Sequence, residues 1–247
     1  IGYETGEKML AIITGTINPD QKIDHLTLKD PQERLKQYLD SLCFLIDSGA
    51  FSSIIFCENS NYSLDAFEDI KSRAAEKQVK LEVFSFQGDI KEAIDHGKGY
   101  GEGEIMDYIF TFSNLLKEAS YFVKITGRLR VDNMRDITMR MDTRKTYFNI
   151  PNRTIRDFYD TRIYAMPVEQ FRTKFRNQYD NVSDNEGIFL ENIYTRILRE
   201  EKIKVTNFPR YPRIIGISGS MGIPYSYVEW KCRIKDLLSR FNYYRVD

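Results

Sequence analysis

Several short stretches carry side chains whose types and spacing suit chemistry. In KITGR (124–128), Lys124 and Arg128 flank Thr126 and Gly127 at the exit of an apolar run. A guanidinium grips phosphate oxygens through a two-pronged fork, so a basic pair at a strand exit reads as an anion holder. The plainer alternative is a solvent-facing pair, or ion pairs to Asp132 and Asp136. Glu191 sits among Ile188, Phe189, Leu190 and Ile193. An apolar setting tunes a carboxyl toward working pH and suits it to accept a proton from an attacking hydroxyl; the alternative is an ion-paired helix residue. GKGYGEGE (97–104) reads as a loop whose backbone amides let a phosphate or ribose approach, against an ordinary flexible turn before a helix. It is neither a Walker loop nor a GxGxxG following the first strand, which argues against nicotinamide and ATPase chemistry. Ser218 and Ser220, in GISGSMG (216–222), are hydroxyl donors in what is also a common connector composition. His25 and His96 lie too far apart, without Cys or carboxylate spacing, to propose zinc or a catalytic triad.

The elements that must position these groups follow from periodicity. MLAIITGTI (9–17) predicts a buried strand ending in the loop Thr14, Gly15, Thr16. Asp30 and Pro31 supply the cap and first turn of a helix bearing Leu35, Tyr38, Leu39, Leu42 and Ile46. Strands are predicted at 52–60 and 80–86 with a helix between them, then the glycine loop, a helix over about 105–116, and a long strand YFVKITGRLRV (121–131). If that strand persists, Lys124, Thr126 and Arg128 share one face. Strands alternating with helices imply a mainly parallel sheet, with ligands at the rim where the loops after Ile13, Phe56 and Ile125 meet. Residues 132–157 are polar and read as loop with an edge strand. A strand running into a helix is expected over 160–175, an amphipathic helix over 185–201, and a loop with a short strand over 208–225. A closing helix from about Tyr227 carries Val228, Cys232, Leu237, Leu238 and Phe241 as its core-docking face.

The chain has 247 residues, 42% hydrophobic and 29% charged, which is enough for one large α/β core. Lys+Arg 36 balance Asp+Glu 36, removing the long-range attraction of a general nucleic-acid binder. Three scattered cysteines form neither a disulfide framework nor a CxxC zinc pair. No apolar run approaches the roughly 20 residues that span a bilayer. A cytoplasmic location is expected, and Ile1 in place of an initiator methionine points to a piece of a longer chain.

In order as well as type, TGT (14–16), CENS (57–60), GKGYGEGE (97–104), KITGR (124–128) and FLEN (189–192) resemble the corresponding pieces of nucleotide-sugar-dependent glycosyltransferases of the GT-A fold, especially bacterial enzymes of surface polysaccharide synthesis such as lipopolysaccharide or capsule. The likeness covers most of residues 9–225. It implies a Rossmann-like, mainly parallel sheet flanked by helices in a single domain, divided into a nucleotide-binding half (1–131), an irregular acceptor-binding half (132–225) and a C-terminal helix (226–247). It implies that Thr14, Gly15, Thr16, Glu58, Asn59, Lys98, Gly99, Thr126, Gly127 and Ser220 contact the nucleotide-sugar. It further implies a catalytic carboxylate at Glu191, whose position favours an inverting transfer with Glu191 as base over a retaining one. Asp160 and Arg162 read as contacts to acceptor sugar hydroxyls or, as well, as an internal ion pair.

The departure is at 126–128, where Thr-Gly-Arg replaces the acidic Asp-x-Asp pair that holds manganese or magnesium in the family. No metal ligand is therefore assigned, Asp132 being the fallback, and Lys124 and Arg128 are left to stabilise the leaving diphosphate. The implied partners are a nucleotide-sugar donor and a glycan or lipid-linked acceptor. The closing helix offers peripheral contact with the inner membrane. Nucleotidyl transfer onto a sugar phosphate is the competing reaction, although TGTINPDQK is a poor version of its glycine-rich first loop. An inactive nucleotide-sugar-binding module is the other alternative.

Overall fold

The computed structural model describes residues 9–22, 27–149, 158–217, 222 and 224–240. The first strand, β1 (Leu10–Gly15), is buried along its whole length, with Ala11 and Ile13 facing one core cluster and Leu10 and Ile12 the other. A strand that is apolar on both faces belongs in the middle of a sheet covered on both sides. Helix α1 (Pro31–Asp47) starts where expected: Asp30 accepts from the Glu33 amide at 2.8 Å, and the inward face carries Tyr38, Leu42, Leu45 and Ile46.

β2 (Ser53–Glu58), α2 (Glu68–Glu76) and β3 (Lys80–Ser85) follow, then α3 (Ile90–His96), α4 (Lys98–Phe112), α5 (Asn114–Glu118) and β4 (Tyr121–Thr126). The remainder comprises β5 (Arg130–Val131), α6 (Met134–Thr138), β6 (Thr146–Asn149), β7 (Asp160–Pro167), α7 (Val168–Gln170), α8 (Leu190–Glu200), β8 (Val205–Thr206), β9 (Ile214–Ile217), β10 (Pro224–Tyr225) and α9 (Glu229–Arg240).

The main sheet has the order β3-β2-β1-β4-β7-β6-β8. Strands β1 to β4 are mutually parallel, β7 is antiparallel to both β4 and β6, and β8 is parallel to β6, so β7 alone runs against the rest. The expected mainly parallel α/β architecture is present.

Three expectations change. The glycine cluster is helix, not loop: Gly99, Gly101 and Gly103 lie buried in the first turns of α4. A β-carbon on Gly103 would collide with Tyr179, one on Gly101 would come within 3.1 Å of Asn59, and one on Gly99 would come within 3.1 Å of Val182. Glycine costs a helix about 1 kcal/mol relative to alanine, and close approach of these neighbours is what it permits. The predicted strand 121–131 breaks at Gly127: β4 ends at Thr126, and β5 joins a second sheet of order β10-β9-β5. The segment after 132 contributes β6, which is no edge strand, because β7 and β8 flank it.

Helix α9 also departs from its expected packing. Cys232 and Asp236 face inward, whereas Trp230, Ile234 and Leu237, together with Val228 just before the helix, are exposed. The inward face is fastened by charge, with Asp236 accepting from Arg213 Nη2 at 3.1 Å and from the Tyr211 amide. Phe241 lies outside the described residues, as do His25, Ser218 and Ser220.

Candidate functional site

Strand β1 has β2 on one side and β4 on the other, and the chain connects them in opposite directions. Such a reversal leaves a crevice beyond the carboxyl ends of the strands, where open α/β sheets bind ligands. A cavity of about 1100 Å³ occupies that position. Because β7 is reversed, its first residues reach the same rim, pairing Ile163 with Ile125 beside Thr126.

One wall is built by the first half of the chain. Thr14, Gly15 and Thr16 line it at the end of β1, Asn59 after β2, and Thr126 and Arg128 after β4. Thr16 donates its hydroxyl to Asn59 Oδ1 at 2.6 Å. The β1 loop is held by a residue the sequence reading passed over. Arg34 donates to the carbonyls of Thr16 (2.7 Å) and Leu28 (2.9 Å) and to the Tyr38 hydroxyl (3.3 Å), while that hydroxyl accepts from the Thr16 amide at 2.9 Å. Arg34 and Tyr38 both line the cavity. Their signal was present in the sequence: 34, 38, 41, 42 and 45 form one helical face, and an arginine at a core-facing position requires a reason.

The opposite wall comes from α4, β7 and α8. Lys98, Gly99 and Glu102 line it, with Thr161, Arg162 and Glu191. Glu191 lies in the first turn of α8 and accepts from the Thr161 hydroxyl at 2.8 Å. Burial raises its pKa above the ordinary carboxylate value, the Thr161 hydrogen bond opposes that rise, and the nearby Glu102 and Asp160 charges add to it. Asp160 and Arg162 form an ion pair at 2.6 Å, with Asn149 donating to Asp160 at 3.0 Å, so their internal pairing is the reading the geometry supports.

Three predicted ligand residues do not line the cavity. Lys124 is fully buried beneath it; its ammonium meets Glu102 Oε1 at 2.5 Å, the Thr161 carbonyl at 3.0 Å and Thr126 Oγ1 at 3.1 Å. It therefore ties together three cavity-lining residues and does not stand beside Arg128. The strand ends before Arg128, so the shared-face expectation fails, and the turn carries that guanidinium toward α1, where it donates to Gln37 at 3.1 Å. Glu58 is also fully buried, and its carboxylate accepts from the amides of Ser60 (2.9 Å) and Tyr62 (2.8 Å) and from the hydroxyls of Ser60 and Ser85. It is a scaffold for the loop after β2. Gly127 packs where a β-carbon would strike the Thr14 carbonyl and Tyr38, and its amide donates to that carbonyl at 3.0 Å.

The residues at the turn do not fit a divalent metal. Among the described residues no group of three or more His, Cys, Asp or Glu is arranged to hold an ion. The rim carboxylates Glu102 and Asp160 are already matched to Lys124 and Arg162, and Asp132 accepts from the Tyr227 hydroxyl at 2.9 Å.

No protein-family model and no curated protein matches the chain. Solved structures similar to it include two enzymes. One is a provisionally assigned nucleotide-diphospho-sugar transferase from Desulfovibrio desulfuricans G20, with 9% identity, a TM-score of 0.48, and coverage of 81% of this chain and 79% of that one. The other is a nucleoside-diphosphate-sugar pyrophosphorylase from Vibrio cholerae RC9, with 10% identity, a TM-score of 0.46, and coverage of 81% and 91%. Identities this low leave function to be read from the cavity itself.

Proposed function

We propose that the chain is a glycosyltransferase that binds a nucleotide-sugar in this cavity and moves the sugar to a hydroxyl of a glycan or lipid-linked acceptor. The observation that carries the reading is the composition of the two walls. A guanidinium, Arg128, lines the crevice at the switch point, and a carboxylate of raised pKa, Glu191, lines the same space from the acceptor-side half.

In this mechanism the acceptor oxygen attacks the anomeric carbon while Glu191 takes the hydroxyl proton. The new carbon–oxygen bond forms as the bond between the anomeric carbon and the phosphate oxygen breaks. The electron pair leaves with the nucleotide, whose added negative charge faces Arg128. Attack opposite the leaving group inverts the anomeric centre. Lys124 acts from below by fixing Thr126, Glu102 and the Thr161 backbone.

Helix α9 supports a lipid-linked acceptor. Its exposed stripe of Trp230, Ile234 and Leu237 is accompanied by exposed Lys231 and Arg233, the latter paired with Glu229, while Lys235 lies over the Tyr211 ring and Asp236 is turned inward onto Arg213. An apolar stripe with outward cations fits an anionic membrane surface.

The test is incubation with a panel of nucleotide-sugars, with manganese and with EDTA, following release of free nucleotide. Slow hydrolysis or transfer supports the reading. Pyrophosphate release from a nucleoside triphosphate and a sugar phosphate would replace it with nucleotidyl transfer, and binding without turnover would replace it with a non-catalytic module.

A further inference from the structure

Among the described residues, buried cations are matched to carboxylates, with one exception. Lys124 meets Glu102, and Arg213 meets Glu229 and Asp236. Among the described residues, Arg34, 4% exposed, has no carboxylate within ion-pair distance, and neither does its neighbour Arg128. Both line the cavity, Arg34 donates to the Tyr38 hydroxyl at 3.3 Å, and the Arg128 guanidinium is held below its ordinary pKa by burial and by the charge of Arg34. Two like charges at one cavity wall, Arg34 buried and Arg128 half-buried, with no acid beside them among the described residues, form an arrangement that an anion completes.

Free hydrogen-bonding capacity points the same way. Arg34 uses three of a guanidinium's five N–H groups on Thr16, Leu28 and Tyr38, leaving one on each terminal nitrogen. Arg128, donating through Nη1 to Gln37 at 3.1 Å, keeps the larger part of its fork. Hydroxyls of Thr14, Thr16 and Thr126 line the same wall.

We propose that Arg34 and Arg128 form a diphosphate clamp in place of a divalent cation, so that the donor is a nucleoside diphosphate-sugar and not a nucleoside monophosphate-sugar. A diphosphate diester bears one negative charge per phosphate and so matches one guanidinium each, whereas a monophosphate diester leaves one cation unmatched. When the sugar departs, a further charge develops on the terminal phosphate, where the clamp strengthens. The inference rests on the transferase reading for its substrate but not for its anion chemistry.

The experiment measures binding of inorganic pyrophosphate, UDP and UMP in EDTA by calorimetry. The proteins are the wild type, Arg128→Gln, Arg128→Lys and Arg34→Gln, each first checked for folding by circular dichroism. The wild type should bind pyrophosphate and UDP without metal, and UMP clearly less well. Arg128→Gln should weaken pyrophosphate and UDP roughly ten- to hundredfold, the worth of a charged hydrogen bond. Arg128→Lys should fall between, keeping charge but losing the fork. Should Arg34→Gln fail to fold, Arg128→Gln alone decides. Unchanged pyrophosphate affinity in Arg128→Gln, a requirement for manganese, or equal affinity for UMP and UDP would overturn the clamp. Pyrophosphate binding lost in Arg128→Gln, with no nucleotide-sugar turned over by wild type, would keep the clamp and remove the transferase reading. Turnover equal in wild type and Arg128→Gln would do the reverse.

Discussion

The Thr161 hydroxyl donates to the Glu191 carboxylate at 2.8 Å, joining the start of β7 to the first turn of α8 within one wall of the cavity. This bond favours the charged form of a carboxyl that burial otherwise drives toward neutrality. Thr161→Val should therefore raise the Glu191 pKa further. The acid limb of the pH–rate profile is expected to move up, with kcat reduced at neutral pH and KM for the donor little changed. An acid limb that stays in place would show that Glu191 is not the titrating base.

Glu191→Gln should lower transfer by about 10²- to 10⁴-fold, the usual share of general base catalysis. Stability should move the other way. A carboxyl whose folded pKa is raised contributes stability that is present below its unfolded value, about 4.3, and lost as pH rises through the folded value. As pH rises through the folded value the wild type must ionise a half-buried carboxyl, a cost that glutamine avoids. Thermal melts should show Glu191→Gln more stable near pH 7 and equal to wild type below about pH 4.

Removing Glu58 separates scaffold from ligand. Glu58→Ala orphans the amides of Ser60 and Tyr62 and two hydroxyls, at a cost of about 3 kcal/mol or more. Chemical denaturation should report this loss in the absence of any nucleotide.

The buried pair beneath the cavity should behave as a unit. Lys124→Met alone strands Glu102 and is expected to destabilise by about 2–4 kcal/mol, Glu102 being only partly exposed. Lys124→Met combined with Glu102→Gln should regain part of that loss. Additive costs in the double-mutant cycle would refute the coupling.

Membrane contact through α9 predicts co-flotation with anionic vesicles that weakens with salt and is absent on neutral vesicles. Replacing Trp230, Ile234 and Leu237 by serine should abolish flotation without lowering the melting temperature, because all three are exposed.

The parallel core was legible because it depends on local alternation. LAIITG and SIIFCE are apolar on both faces, and Asp30–Pro31 announces α1. What escaped depends on distant partners. The run Gly97–Gly103 looks like a loop until Tyr179, Val182 and Asn59 are seen packed against it. Lys124 and Arg128 look equivalent along the chain, yet one is sealed beneath α4 and the other swings toward α1 because the strand stops between them. Arg34 was hidden by its company, a cation on a face otherwise read as apolar. Polar spacing alone also did not foretell that β6 would lie between β7 and β8.

The reversed direction of β7 has a consequence for how such a chain can diversify. Apart from α4, the opposite wall comes from β7 and α8, a stretch far in sequence from the loops after β1, β2 and β4, and β4 and β7 meet through main-chain pairing that depends little on side-chain identity. Under the proposed transfer, residues of β7 and α8 that would face the incoming hydroxyl can thus be exchanged without disturbing those that would face the phosphates. A graft of residues 158–200 from a protein of the same strand order would test whether acceptor preference travels as a cassette.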